Sequence, residues 1–269
     1  MAVDQVTGAR PAWFVEYDAA PSKILAHHWP DVPNHGDVTK VDWSAIPPVD
    51  ILTGGYPCQP FSQAGQRKGT TDDRHLWPYV REAIRVLRPR LTILENVAGH
   101  RSLGLDRVLG DMAEDGLHVR WTSIRASDIG APHHRERLFI VAAPADTDCE
   151  RWGEGTEQPL TGPPKVTAPV SSEPPATTDF GPYTEAVQRW ERLTRPAPAP
   201  TEPNTKGKPR LSAGFAEWMM GLPEGHVTQV PGISRADQLK AIGNGVCPQQ
   251  AAAALHQLLT SPAPAGHFS

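Results

Sequence analysis

The sequence predicts an α/β protein built on an open, doubly wound sheet. Along the first half of the chain, short apolar segments with strand character alternate with amphipathic segments of helical period. This alternation is typical of helices packed on a mostly parallel sheet. In the second half, 12 of the chain's 29 prolines lie between residues 151 and 209. Such a segment buries little apolar surface, so we expect a small loop-rich domain there.

Each element is predicted from its hydrophobic period and its flanking residues. Pro21 and Ser22 open a short helix, Pro89 stops an amphipathic one, and Ser212 is a helix cap. The predicted strands cover residues 12–17, 49–55, 91–97, 118–126 and 136–143; the predicted helices cover residues 21–29, 77–88, 104–116, 184–193, 212–223 and 249–259.

Composition excludes several classes of protein. The chain has 269 residues, 39% of them hydrophobic, and no apolar run approaches the ~20 residues of a membrane span. Its three cysteines are far apart, which favours free thiols in a reducing compartment over disulfides or a zinc site. We therefore expect a cytoplasmic, monomeric protein without a metal.

The charge pattern is local rather than global. The net charge of −4 gives no overall basic signature, but a cleft can focus positive potential on an acidic protein. A solvated helix face is the alternative interpretation for residues 81–88. Basic residues crowd the segment after Cys58: Arg67, Lys68, Arg74, Arg81, Arg85, Arg88, Arg90 and Arg101.

Two reactive side chains follow predicted strands. Cys58 comes just after ILTGG, and Glu95 comes at the end of LTIL. Ligands of doubly wound sheets bind outside the carboxyl ends of the strands, so this arrangement indicates a site. Taken alone, the cysteine is equally a small buried hydrophobe, a metal ligand or a nucleophile.

Five motifs along the chain then favour the nucleophile. They are GGYPCQPFS (54–62), ENV (95–97), HHRERLF (133–139), RLSAGFAEWMMGLP (210–223) and AIGNGV (241–246). With them the chain resembles the DNA cytosine methyltransferases that modify carbon 5 of the base and use S-adenosylmethionine as methyl donor. The resemblance implies a Rossmann-like methyltransferase fold, with a catalytic donor-binding domain over residues 1–143, completed by 232–262, and a small target-recognition domain over 144–231.

The resemblance implies a role for each catalytic residue. Cys58, as a thiolate, would add to carbon 6 of cytosine and make carbon 5 nucleophilic. Glu95, as a protonated carboxyl, would receive the charge that develops at ring nitrogen 3, which requires a raised pKa. Arg137 would hold the carbonyl oxygen of the base. Arg135 is assigned to the same catalytic group, and we expect it to support the loop.

The donor pocket is carried over in the same way. Glu16 would accept from the ribose hydroxyls, Tyr17 would stack near the adenine, and Asp37 would accept from the adenine amino group. The full set expected to bind S-adenosylmethionine is Glu16, Tyr17, Asp37, Val38, Gly55, Pro57, Leu76, Asn244, Gly245 and Val246.

The implied partner is double-stranded DNA in a bacterial or phage-infected bacterial cell, with the target base flipped out of the stack. Residues 62–75 resemble the family's mobile loop, although an ordinary exposed loop is the alternative. No base-reading residue is assigned. The expected DNA contacts are Ser62, Gln63, Arg67 and Lys68 in that loop, and Lys206, Lys208 and Arg210 later in the chain.

The chain departs from the family pattern in two places. His133 stands where the family usually has glutamine, and the N-terminal FxGxGG loop, which cradles the donor, is missing. Either Met1 lies inside a longer protein or the gene is a degraded copy, and the intact catalytic set favours the first. The alternatives to an active DNA methyltransferase are a DNA-binding remnant and an RNA cytosine methyltransferase of the same fold.

Overall fold

The computed structural model describes residues 1–57, 76–145 and 179–260, and it has an α/β fold. The helices are α1 (Ala2–Thr7), α2 (Ala19–His28), α3 (Trp77–Leu87), α4 (Leu105–Glu114), α5 (Thr184–Leu193), α6 (Ala213–Met219), α7 (Arg235–Asn244) and α8 (Pro248–Thr260). The strands are β1 (Ile51–Gly54), β2 (Leu91–Val97), β3 (Leu117–Arg125), β4 (Glu136–Pro144), β5 (Thr201–Pro203) and β6 (Pro209–Leu211).

The main sheet has the strand order β1-β2-β4-β3. β1 runs parallel to β2, whereas β4 runs antiparallel to both of its neighbours. β1, β2 and β3 therefore run in one direction, so among the described strands the expectation of a mostly parallel sheet is wrong only for β4. The physical reason is the short connection between β3 and β4, which carries no crossover helix and so turns the chain back on itself.

The predicted strand over residues 12–17 is also wrong. The structure has only an isolated parallel bridge there, between Phe14 and Asn34. The apolar side chains do pack inward, because Trp13 and Val15 lie against the apolar cluster that contains Leu52 and Trp77. In addition, Trp13 Nε1 donates to the carbonyl oxygen of Pro47 at 3.0 Å. The hydrophobic pattern reflects this packing rather than a ladder of backbone hydrogen bonds.

Helix ends mostly follow their sequence signals. The prediction for α5 is confirmed at both ends, and the Ser212 side chain caps α6 by accepting from the Phe215 N–H at 3.3 Å. α2 begins two residues earlier than predicted, with Asp18 at its N-cap position. Two elements were not predicted from the sequence: α7, which Ser234 caps, and the β5–β6 hairpin in the proline-rich segment.

Three apolar clusters hold these elements together. One lies between the sheet and helices α3 and α4, and another packs α1 and α8 on the opposite face. The third is built around Trp190 and Trp218 and also includes Ile24, Ala126 and Ile242. Its members come from both sides of the predicted domain boundary at residue 144, and that boundary stays a prediction.

No helix in residues 1–57, 76–145 and 179–260 is long and apolar enough to cross a membrane. In the same ranges, no group of three or more His, Cys, Asp or Glu side chains is arranged to hold a metal ion.

Candidate active site

Glu95 and Arg137 form a half-buried ion pair where β2 and β4 meet. In the ladder Glu95 lies opposite Phe139, two residues from Arg137, so the two side chains share one face of the sheet. Arg137 Nε lies 3.0 Å from Glu95 Oε1, and the side chains are 15% and 21% exposed. The structure therefore brings together two of the residues assigned to catalysis.

Burial sets the protonation of the carboxyl group. It raises the pKa of Glu95, and the positive charges of Arg137 and Arg135 offset part of that rise. A carboxyl with a raised pKa is protonated over a wider pH range than an exposed one. This is the direction that donation of a proton to a bound ring requires.

The chain entering the PCQ motif is fixed against the same strand. A β-carbon added to Gly55 would lie 3.6 Å from Glu95 Oε2, so the backbone passes close to the carboxyl group. The buried Asn96 donates to the carbonyl oxygen of Tyr56 at 2.9 Å. Cys58 itself lies outside the described residues.

A buried tyrosine–histidine pair completes this anchor. His100 Nδ1 lies 3.0 Å from the carbonyl oxygen of Leu103, which only accepts hydrogen bonds, so Nδ1 carries the proton. His100 Nε2 then accepts from the Tyr56 hydroxyl at 2.9 Å. Burial lowers the pKa of His100, consistent with this neutral tautomer.

Arg135 supports a turn. Its Nη2 donates to the carbonyl oxygens of Gly243 and Gly245 at 2.7 and 2.6 Å, and its own carbonyl oxygen accepts from Gln250 at 2.8 Å. Its φ of 23° lies in the left-handed region, which is strained for arginine. These bonds join the catalytic strands to the C-terminal segment, in agreement with a supporting rather than a substrate-binding part.

The apolar donor-site candidates pack on two of the apolar clusters. Val246 packs against the cluster that contains Ile93 and Phe139. Val38 and Leu76 both pack against the cluster that contains Tyr56. The turn through Asn244 and Gly245 is bound by Arg135, which directly precedes β4.

Glu16 and Tyr17 lie on a short segment held by Asn34. The Asn34 side chain bonds both the N–H and the carbonyl oxygen of Glu16, each at 2.9 Å. Glu16 Oε1 accepts from the Asp18 N–H at 2.8 Å, and no bond to Glu16 Oε2 is seen among the described residues. Tyr17 is 77% exposed. A carboxylate oxygen and an aromatic face are thus available to a ligand.

Asp37 caps a short turn. It accepts from the N–H and hydroxyl of Thr39 at 3.0 and 2.8 Å, and it pairs with Lys40 at 3.1 Å. The hydrogen bonds to Thr39, with the Lys40 contact, lower the pKa of Asp37. Asp42 caps the next turn in the same way through Ser44.

The late basic residues lie on the β5–β6 hairpin. Lys206 and Lys208 are exposed at its turn, where the Asn204 side chain accepts from both of their N–H groups. Arg210 is held by Glu202 at 2.9 Å, and Glu202 also binds Arg235. The loop candidates Ser62, Gln63, Arg67 and Lys68 lie outside the described residues, and Pro57 is the last residue before that gap.

Sequence reasoning missed one organising residue, Glu217. It is 1% exposed, and its carboxylate accepts from the N–H groups of Gly225, Val227 and Thr228 and from the Thr228 hydroxyl, at 2.6–3.0 Å. The available signal was a lone charge between Phe215 and Trp218. His133 likewise bonds the carbonyl oxygen of Met219 at 2.9 Å, a loop contact from the position where glutamine was expected.

Comparison with known sequences identifies what this chain is similar to. The family model described as C-5 cytosine-specific DNA methylase matches residues 3–173. The Type II methyltransferase M1.ScrFI of Lactococcus lactis subsp. cremoris is 38% identical over 131 residues, covering 47% of this chain and 33% of the relative. The orphan methyltransferase M.SPRI of Bacillus phage SPR is 35% identical over 141 residues, covering 49% and 32%. These matches span about a third of the relatives' length.

Solved structures share the fold. The S. pombe Dnmt2 methyltransferase superposes with a TM-score of 0.63 at 12% identity, over 96% of this chain and 94% of that one. The Entamoeba histolytica methyltransferase EhMeth superposes with a TM-score of 0.60 at 14% identity, over 96% and 92%. At such identities the likeness establishes the Rossmann-like methyltransferase fold and not the substrate.

Proposed function

Because this chain belongs to the C-5 cytosine-specific DNA methylase family, we propose that it transfers a methyl group to carbon 5 of cytosine in duplex DNA. The observation that carries the proposal is the Glu95–Arg137 pair, joined at 3.0 Å at the strand ends with Gly55 against it. A proton donor and a cation next to the backbone that leads into the PCQ motif are groups that can bind the ring nitrogen and carbonyl oxygen of a pyrimidine.

In the proposed mechanism the Cys58 thiolate adds to carbon 6 of the flipped base. The electron pair of the 5,6 double bond is then delocalised towards ring nitrogen 3, where Glu95 donates its proton. Arg137 holds the carbonyl oxygen of the base, and its charge also keeps Glu95 in place. Carbon 5 would then form a bond to the methyl group that the bound donor supplies, with the donor's sulfur leaving as a neutral thioether. Loss of the carbon 5 proton to water, expulsion of the Cys58 thiolate and return of the nitrogen 3 proton to Glu95 would complete the cycle.

The proposed methyl donor is S-adenosylmethionine, which supplies an electrophilic methyl group when bound. The residues on the donor side suit its polar parts: Glu16 Oε2 would accept from the ribose hydroxyls, and the exposed ring of Tyr17 would stack on the adenine. Asp37 would accept from the adenine amino group. Arg135 would fix the turn through Gly245 that closes this side.

The proposed substrate is double-stranded DNA. Extruding the base costs a few kcal/mol, on the order of one or two stacking steps, offset by contacts in the pocket. Lys206 and Lys208, exposed on the hairpin, would add contacts to phosphates, as would Arg67 and Lys68. The monomeric state and the cytoplasmic location remain predictions.

The test is the 5-methylcytosine content of bacterial DNA after expression of the 269-residue chain, measured by mass spectrometry beside a Cys58→Ala control. We expect 5-methylcytosine with the wild-type chain and none with the control. Equal signals in both would contradict a covalent mechanism through Cys58. The purified chain should methylate duplex DNA in preference to transfer RNA, and the opposite preference would favour the RNA methyltransferase alternative.

A further inference from the structure

A second charged cluster lies at the same end of the sheet as the Glu95–Arg137 pair. It consists of Arg101, Glu136 and Arg125. Arg101 Nη2 lies 3.1 Å from Glu136 Oε1, and Arg125 Nε lies 3.8 Å from Glu136 Oε2. Glu136 precedes Arg137 in β4, and Glu136 lies opposite Arg125 of β3 in the ladder. Because successive side chains of a strand face opposite sides of the sheet, the cluster and the Glu95–Arg137 pair share one end of the sheet and lie on opposite faces.

The single carboxylate leaves much of the cluster's binding capacity unused. A guanidinium group has five N–H donors. Within residues 1–57, 76–145 and 179–260, contact with Glu136 is the only ion pair of either arginine side chain. The side chains of Arg101 and Arg125 are 44% and 59% exposed. The three groups carry a net charge of +1 on a chain whose formal charge is −4.

The turn that carries Arg101 is held in place by the buried side chain of His100. Arg101 lies in the short helical turn Ala98–Ser102, which directly follows β2. The preceding residue, His100, is 3% exposed and is bonded through both ring nitrogens. A cation on an anchored turn loses less conformational entropy when it binds a ligand than one on a loose loop.

We propose that Arg101 and Arg125 bind a backbone phosphate of the DNA duplex, and that Glu136 holds the two guanidinium groups when DNA is not bound. A phosphodiester presents two anionic oxygens much as a carboxylate does, and guanidinium groups bind both. The proposal rests on the proposed action on duplex DNA. Such contacts add salt-dependent affinity and set the register of the duplex without selecting a sequence.

The test is the salt dependence of duplex binding by the full chain. For the double variant Arg101→Gln/Arg125→Gln, we expect the slope of log K against log salt to become shallower by about 0.9 per lost phosphate contact. The matched control is Arg85→Gln. Arg85 is 64% exposed, pairs with Asp115 at 3.6 Å, and lies in a surface cleft with Leu117 and Pro144. Those two residues pair at the opposite end of the sheet, so the control should retain the wild-type slope.

A second variant tests the part given to Glu136. Glu136→Gln removes the carboxylate that competes with phosphate, so duplex binding at low salt should tighten, and weaker binding would contradict the competition. A double variant with the wild-type slope would overturn the phosphate site. If that happens while the wild-type chain still methylates DNA, this inference alone has failed. If the slope changes but no methylation occurs, the proposed function has failed and the phosphate site stands.

Discussion

The carboxylates assigned to the two sides of the candidate site, catalytic and donor-binding, make different kinds of contact. At the catalytic end the bonds are long-range: Glu95 pairs with Arg137, and Asn96 binds the backbone of Tyr56, 40 residues away. On the donor side, Glu16 and Asp37 both bond the residue two positions further along the chain.

The difference determines whether a side chain is already oriented for a ligand or must first exchange one of its hydrogen bonds. The Glu95–Arg137 contact joins two strands and persists only if the sheet is intact, so this pair is oriented before any ligand binds. A carboxylate that caps its own turn can share or exchange a local bond for one to a ligand, at the cost of loosening that turn. We therefore expect mutations at the catalytic end to reduce turnover and mutations on the donor side to weaken donor binding.

The largest effect is expected for Glu95→Gln. The amide cannot donate a proton to the ring, so turnover should fall by about a hundredfold to ten-thousandfold, with affinity for S-adenosylmethionine unchanged. Activity of the wild-type chain should decline as the pH rises through the raised pKa of Glu95, because the carboxyl then loses its proton. Initial methylation rates across pH measure both effects.

The control for that variant is Glu114→Gln. Glu114 is 73% exposed, and its ion pair with Arg81 is one of several that Arg81 makes. Exposed pairs contribute about 0–1 kcal/mol, so neither activity nor stability should change appreciably. A Glu95→Gln enzyme that turns over as fast as the Glu114→Gln enzyme would remove Glu95 from the mechanism.

The donor side is tested by comparing Asp37→Ala with Asp42→Ala. Both aspartates cap short turns through the N–H and hydroxyl two residues on, so both variants should lose a similar, small amount of thermal stability. Only Asp37→Ala should weaken binding of S-adenosylmethionine, by about tenfold or more, as expected for a hydrogen bond to a charged group. Calorimetric titration of each variant with S-adenosylmethionine measures this difference. Equal affinities of the two variants for the donor would exclude Asp37 from the pocket.

The contrast between local and long-range contacts also explains which features could be predicted from the sequence. The bounds of β2 and α5 depend on local period and flanking residues, and both predictions were confirmed at both ends. Residues 12–17 have strand composition but no continuous ladder partner, and the antiparallel direction of β4 depends on the connection that precedes it. A short apolar segment carries no information about either.

Motif membership did not by itself assign a part to every organising side chain. Glu95 and Arg137 lie in motifs and were assigned to the site, and the structure joins them. Glu217 lies in the motif of residues 210–223 but was given no part. It binds three backbone N–H groups, which every residue except proline has, so its partners leave no trace in the sequence. His100 meets Tyr56 across 44 residues, and only the folded chain shows the pair.

A smaller effect is expected for Tyr56→Phe, which sharpens the catalytic side of the comparison. The change removes the hydroxyl that donates to the buried Nε2 of His100, and a buried polar group left unpaired costs about 1–3 kcal/mol. Urea denaturation should show this loss, with donor affinity retained. Tyr79→Phe is the control, since Tyr79 is 37% exposed. Equal stabilities of the two variants would mean that the Tyr56–His100 bond does not anchor the PCQ entry.

The smallest expected effect is a loss of stability at acidic pH. It involves the contact between α2, on the donor side, and the C-terminal segment. His28 of α2 stacks on His226 with ring centres 4.1 Å apart, and His28 Nε2 bonds the carbonyl oxygen of His226 at 2.7 Å. Burial, together with the charge of His28, lowers the pKa of His226 from 6.5 to about 4. The folded chain therefore resists protonation that the unfolded chain accepts.

Because this pKa is lowered on folding, the stability linked to neutral His226 is complete above about pH 6.5 and is lost as the pH falls towards 4. His226 is partly exposed, so after solvent screening the loss is about 1–2 kcal/mol. Hydrogen exchange should show α2 opening before β2 and β4 over this range, and His226→Gln should reduce the difference. Simultaneous opening of α2 and the strands would mean that the two sides unfold as one unit, and that the contrast between them is confined to ligand binding.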